Sequence, residues 1–440
     1  MGSPPGGGRL RRVLRRIHPH PPPRDRAAHE CRPPYANYFN TLRTDVAGGG
    51  ADDVFWLNNA NFAEYADNHR LMAVEPPLGE WDPSVVAQFT RGGSLWGVPQ
   101  LTDAGIALYY NADLLAADGV DPPAELDALR WDPNPSVDTL RPLLKRLTHG
   151  RQWGGYNAAN DLQAIYLNYI GSAGGIFNDG DRFAFDNPRA ATAFRYVVGL
   201  INTDRVAPPP ASDTNDNGDF SRNQFLSGRM ALFQSGTYNL AQVAEQATFR
   251  WGVAMLPVGP AGRVSVTNGI VAAGNPASRH PDAVREVLAW LGSARGNSYI
   301  GRDGAAIPAV LPAQQAYFDY WSAKGVDVTP FFRVLDGPRI AAPGGPGFAA
   351  GYQAIKPYFD EMFLGRTPVD QRWRPLSTRR MPQPRVKSPR QHGDLQADRH
   401  CAHNRGDRQH HPVGALRPGR RRGDHAGPAA CGDRITHLVG

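Results

Sequence analysis

GSLWGVPQLTDAGIALYYNADLL, residues 93–115, decides the fold. Read alone, it is strand, loop, strand and helix start. Residues 95–98 form a short apolar run, and Pro99, which cannot donate a ladder hydrogen bond, marks its end. Residues 106–110 form a second run, rich in residues that suit a pleated, half-buried surface. Between them, residues 100–105 read as a loop that holds polar groups between two buried strands. Asn111 or Asp113 is placed to cap a helix carrying Leu114 and Leu115.

Outward from this stretch the chain divides into three pieces. The 440 residues carry a net charge of +7, which by itself suggests a nucleic-acid or anionic-membrane partner. The charge is not spread evenly. Residues 1–34 hold eight Arg against two acids, and residues 372–440 hold fifteen Lys and Arg against five acids, so the middle carries −9. Cys31, Cys401 and Cys431 all lie in the flanks, as do ten of the thirteen His. The central body can therefore form no disulfide and suits either redox compartment. The flanks mix Arg, Pro, Gly, Ala and His without hydrophobic period, and such segments bury too little apolar surface to offset chain entropy, so both are expected to be disordered. They read either as out-of-frame translation of GC-rich coding DNA, the reading the composition favours, or as basic arms for nucleic acid. No stretch approaches the ~20 apolar residues of a membrane helix, and no apolar segment follows the N-terminal charges, so no signal peptide is visible.

Along the body, residues 35–51 read as a helix with a glycine stop, with Tyr35, Phe39, Leu42 and Val46 on one face. Residues 53–57 read as a buried strand that runs into Asn58, Asn59 and Asn61. Helices are expected over 61–71, 137–148, 160–173, 282–291 and 357–364, and from Asn187-Pro188 through Ile201. Loops are expected over 71–81 and 122–135, and a hairpin over 177–185. Residues 249–257 and 266–273 read as one strand each. Residues 213–218, DTNDNG, imitate the start of a calcium loop, but position twelve would be Gln224 in place of the bidentate Glu, so a polar surface loop is expected and no metal. HExxH, P-loop and GxSxG patterns are absent from the sequence, and so is a central Cys nucleophile.

The segments LWGVPQ and ALYYNADLLAADGV, the strand DVFWL, FSRNQFLSGRMAL and GRDGAAIPA, taken in order, resemble the extracellular solute-binding proteins of family 1. These are the maltose-binding-protein-like components of sugar-importing ABC transporters. The resemblance spans about residues 35–371 and implies a two-lobed α/β fold of the periplasmic-binding-protein type II class. It implies an N-terminal lobe of residues 35–111 and 266–312 and a C-terminal lobe of 112–265 and 313–371, with crossings near Asn111, Ser265 and Pro312. It also implies a first strand and helix ahead of Tyr35, where the basic flank stands. The expected function is capture of a carbohydrate (a sugar, amino sugar or related glycerol-phosphate compound), hinge closure, and delivery to a membrane permease. The family is extracytoplasmic, as a lipoprotein or a periplasmic protein. A monomer without cofactor, metal, nucleic acid or catalysis is expected. The alternatives are a glycoside hydrolase acting on oligosaccharides and a basic nucleic-acid-binding protein.

A sugar site needs flat aromatic faces for the C–H surfaces of a ring and polar groups for its hydroxyls. By resemblance, Trp56, Asn58 and Asn59 face the cleft from one loop, and Thr102 and Asp103 from another. Asn157, Asn160 and Asp161 form a third group, Thr237 and Tyr238 a fourth, and Asn268 and Gly269 a fifth. Arg302 and the segment 343–352 with Phe348 border it from the far side. Taken without the resemblance, Trp56 is equally a core aromatic, Asn160 a helix cap, Asp103 a turn former and Tyr238 a core filler.

Overall fold

The computed structural model describes residues 35–369, apart from 78, 156–160, 181, 210, 212–217 and 346. The two basic flanks and the DTNDN stretch lie outside the described residues.

Nine strands position the site: β1 (Val54–Asn58), β2 (Val98–Thr102), β3 (Ala107–Asn111), β4 (Leu232–Ser235), β5 (Trp251–Met255), β6 (Ser265–Thr267), β7 (Gly269–Gly274), β8 (Ile307–Pro308) and β9 (Arg339–Ala341). One sheet has the order β1-β7-β2-β8 and a second the order β4-β3-β5, with every pair antiparallel. Strands β6 and β9 form a separate parallel pair. Among the described residues β1 is an outer strand of the first sheet.

The deciding stretch thus gives one strand to each sheet, and the chain passes from the first to the second over residues 103–106. This is ahead of the crossing expected near Asn111. The expected loop 100–105 is also shorter, because Pro99 does not end its strand. β2 runs through it to Thr102, and the ladder to β7 shifts register between Ile270 and Val271, the residue opposite Pro99. A residue without an N–H is tolerated where a bulge already breaks the ladder. The carbonyl of buried Gln100, skipped by this shift, accepts from the Ala309 N–H at 3.0 Å and from Asn297 Nδ2 at 2.9 Å. Likewise 266–273 is not one strand. It breaks at Asn268 into β6 and β7, and β7 joins the first sheet.

Local chemistry accounts for the helix starts. Asn111 accepts from the N–H groups of Asp113 and Leu114, each at 3.1 Å, and opens the helix Ala112–Ala117. Asn187 caps Pro188–Asn202 through the Ala190 N–H at 2.9 Å, with proline at the first turn. A helix Pro83–Phe89, capped by Asp82, stands in a stretch for which no element is expected from sequence. The loop 122–135 holds a short helix, Ala124–Asp127. The last helix starts at Phe348, nine residues before the expected start, and runs to Phe363 with Pro357 inside.

Two of the packed regions lie one against each sheet. Leu42 of the helix Tyr35–Gly48 is buried with Phe55, Leu57 and Val271, and Tyr38 Oη both accepts from the Trp56 N–H and donates to its carbonyl. The larger region is aromatic. Trp131, 1% exposed, lies against Tyr169 and Tyr196 and donates from Nε1 to Ser172 Oγ at 2.9 Å. Nearby, Phe194 stacks on Phe359 with ring centroids 5.5 Å apart. Among the described residues no helix is long and apolar enough to cross a membrane.

Candidate functional site

Residues 103–106 lie where the sheets meet, and their backbone is fixed from several elements. The Asp103 N–H donates to the Asn268 carbonyl at 2.9 Å, which ties the first crossing to the second. The Gly105 N–H donates to the Phe331 carbonyl at 2.8 Å and the Ile106 N–H to Ser265 Oγ at 2.8 Å. Gly105 has no room for a Cβ, which would overlap Val334. Ala104 takes a left-handed conformation with φ 49°, an unusual state for a residue with a side chain.

Asp103 is 8% exposed. Its Oδ2 accepts from Gln163 Nε2 at 2.9 Å, and its backbone carbonyl accepts from Thr237 Oγ1 at 3.4 Å. Among the described residues Oδ1 has no partner. Burial lifts the carboxyl to about 6, and the Gln163 bond opposes that rise. Tyr238, half-buried, sits on the 3-10 turn Thr237–Asn239. Burial first, then the carboxyl groups of Asp161 and Asp103, push its phenol far above the ordinary tyrosine value. Asp161 itself caps the next helical turn through the Ala164 N–H at 2.7 Å. The fold therefore gathers Asp103, Thr237, Tyr238 and Asp161, with the Asn268 backbone, around one crossing.

The other expected residues are placed differently. Trp56 is half-buried in β1 and packs against the group Leu101, Ile270 and Ala306. Asn58 caps the helix Asn59–Asp67 and accepts from Asn61 Nδ2 at 2.9 Å. Asn59 Nδ2 donates to the Ala342 carbonyl at 2.9 Å, linking that helix to the segment ahead of Phe348. The Asn268 side chain accepts from the N–H of Gly269. A Cβ on Gly269 would stand 2.9 Å from Val85, so close helix packing explains that glycine. Arg302 is exposed, its guanidinium 3.8 Å from the Tyr299 ring centre. Phe348 is 3% exposed and lies in the large aromatic core beside Phe183 and Tyr352; its ring is occupied by packing, which corrects its expected place at the cleft border. Asn157 and Asn160 lie outside the described residues. Among the described residues no group of three His, Cys, Asp or Glu could hold a metal.

The crossing has a second lining that sequence reasoning missed. Thr102 and Ala104 border a cavity of about 460 Å³, together with Asp82, Ser84, Leu311, Gln314, Phe332, Leu335, Asp336 and Arg339. Asp103, between Thr102 and Ala104, turns its carboxylate to Gln163 instead. Gln163 was also missed. The one signal available was a long amide side chain within the otherwise apolar run LQAIYL.

Two sheets joined by tied crossings give this chain the two-lobed fold of mixed helix and sheet of the periplasmic binding proteins. The chain belongs to the bacterial extracellular solute-binding protein family, whose profile matches residues 32–298. Among solved structures it is similar to UspC of M. tuberculosis, 63% identical, covering 86% of this chain and 97% of that one with a TM-score of 0.68. It shares the fold of Lmo0181 from Listeria monocytogenes, an ABC substrate-binding protein solved with cycloalternan, at 18% identity, TM-score 0.66, and coverage of 76% of this chain and 86% of that one. The maltose-bound MalE3 of T. maritima has the same fold at 22% identity, TM-score 0.60, with coverage of 76% and 85%. A probable ABC transporter-binding protein of Deinococcus radiodurans is 28% identical over 222 residues, 48% of this chain; the match spans about half, 51%, of that curated relative.

Proposed function

We propose that the protein captures a carbohydrate between its lobes and hands it to the permease of an ABC importer, without turnover. The observation that carries this reading is Asp103. A carboxyl group held at the crossing, with one oxygen unclaimed by the described residues and a tyrosine beside it, suits a sugar hydroxyl donor and a ring face. The sugar-bound neighbours of the same fold support the ligand class. The lobes are proposed to follow the two sheets, with the first boundary at residues 103–106 in place of the expected Asn111 and the second near Asn268. The working protein is proposed to be extracytoplasmic, held at the membrane as a lipoprotein or free in the periplasm, and monomeric.

A thermal-shift screen of the purified protein against neutral sugars, amino sugars and glycerophosphodiesters tests the reading. A ligand at ~100 times its dissociation constant adds about 2.7 kcal/mol of stability. A melting shift with one class, and no chemical change in that compound, is the expected result. Hydrolysis of an oligosaccharide would replace the capture reading with an enzymic one. No shift with any carbohydrate would remove the ligand class.

A further inference from the structure

The turn Leu162–Tyr166 is wider than an α-helix. The Tyr166 N–H reaches the Asp161 carbonyl at 3.2 Å, and the Leu167 N–H reaches the Leu162 carbonyl, both five residues back. Buried amides hold this π-helical turn open. Asn168 Nδ2 donates to the carbonyls of Gln163 at 2.8 Å and Ala164 at 3.0 Å, and Gln234 Nε2 of β4 donates to Ala164 as well. The same Asn168 accepts at Oδ1 from the Val266 N–H of β6 at 2.9 Å. The turn is thus fastened to the second crossing, while Gln163 reaches the first through Asp103.

We propose that Gln163 is a positioning residue for the ligand site: its amide, carried on a turn braced by Asn168 and Gln234, fixes Asp103 Oδ2 and leaves Oδ1 to accept from the bound solute. The role rests on the carbohydrate-capture reading. Its chemistry does not depend on which sugar binds. Asp103 is faced by Gln163 from this turn, by Thr237 and Tyr238 from the neighbouring one, and by the carbonyl of Asn268 from the second crossing; the carboxyl group of Asp161, which caps the turn, also acts on Tyr238. Gln163 is the one group among these whose hydrogen bond favours the ionised carboxylate, and ionised Asp103 is the stronger acceptor.

Titrating the carboxyl ¹³C signal of Asp103 in the full chain tests this without any ligand, with Asp103→Asn assigning the resonance. Gln163→Met keeps the side-chain length and removes the donor. It should raise the titration midpoint by about one unit, a tenfold gain in proton affinity. Gln163→Glu places a second carboxyl group against the first and should raise it further, and it decides the matter if the methionine variant does not fold. A midpoint unchanged in the folded variants overturns the proposal. Any carbohydrate that stabilises the wild type at pH 7.5 should bind Gln163→Met about tenfold more weakly, as expected for a lost bond to a charged group. Equal affinity would also overturn it. Should no carbohydrate bind the wild type, the capture reading fails, and the midpoint still decides what Gln163 does to Asp103.

Discussion

Replacing Asp103 by Asn should make the ligand-free protein more stable, and only above a certain pH. Burial raises the folded value of this carboxyl group to about 6, against 3.8 for an unperturbed one. A group shifted upward favours the fold in its protonated form. Its contribution is fully present below about pH 4 and is lost as pH rises through about 6. At pH 7.5 the ionised carboxylate therefore costs the fold the two-unit difference, about 3 kcal/mol. Asn keeps an oxygen for Gln163 Nε2 and carries no charge. With an unfolding entropy of roughly 0.7 kcal/mol/K for a body of this size, the variant should melt about 4 °C higher at pH 7.5. Near pH 4 the pH-dependent part of that gain should vanish. Calorimetric melts of both proteins from pH 4 to 7.5 measure it. A difference that does not change with pH would refute the reasoning, because an offset from altered packing alone would be flat. A difference that grows with pH would show the wild type carrying a destabilised carboxylate, as functional sites commonly do.

Three further outcomes follow from the same geometry. Carbohydrate affinity measured by titration calorimetry should fall about tenfold per unit as pH drops below about 6, if ionised Asp103 is the acceptor; a flat profile would exclude it. Gly236→Ala should weaken capture while leaving the fold cooperative, because a Cβ there overlaps the Tyr238 ring and must displace it; unchanged affinity would remove Tyr238 from the site. Trp131→Ala should cost about 3–5 kcal/mol in denaturant unfolding without altering intrinsic affinity, since Trp131 is buried among Tyr169 and Tyr196; a loss under 1 kcal/mol would mean that the aromatic core repacks around the gap.

Sequence alone reached the elements whose cause is local. The strand over residues 107–111, the Asn111 and Asn187 caps and the amphipathic helix near 282–291 follow from periodicity and capping chemistry, which operate within a few residues. The ordered motifs also disclosed the family, because loose patterns in a fixed order constrain one another. Elements decided by distant contacts were misread. Pro99 stays within β2 because a bulge in the ladder to β7 coincides with it, and Pro357 stays inside a helix that packs its Phe348, Phe359 and Phe363 into the large core. The break at Asn268 arises where neighbouring residues join different sheets, which no local pattern encodes. The site divides the same way. Asp103 and Tyr238 could be named from residue type and motif, but their gathering could not, and Phe348 was named as a ligand contact when burial had already used its ring. Gln163 lies 60 residues from the carboxylate it holds. Residue chemistry therefore set which groups could serve a polar, ring-shaped ligand. The tertiary structure decided which of them meet, because the chain must cross between two sheets before any of those groups come within hydrogen-bond reach.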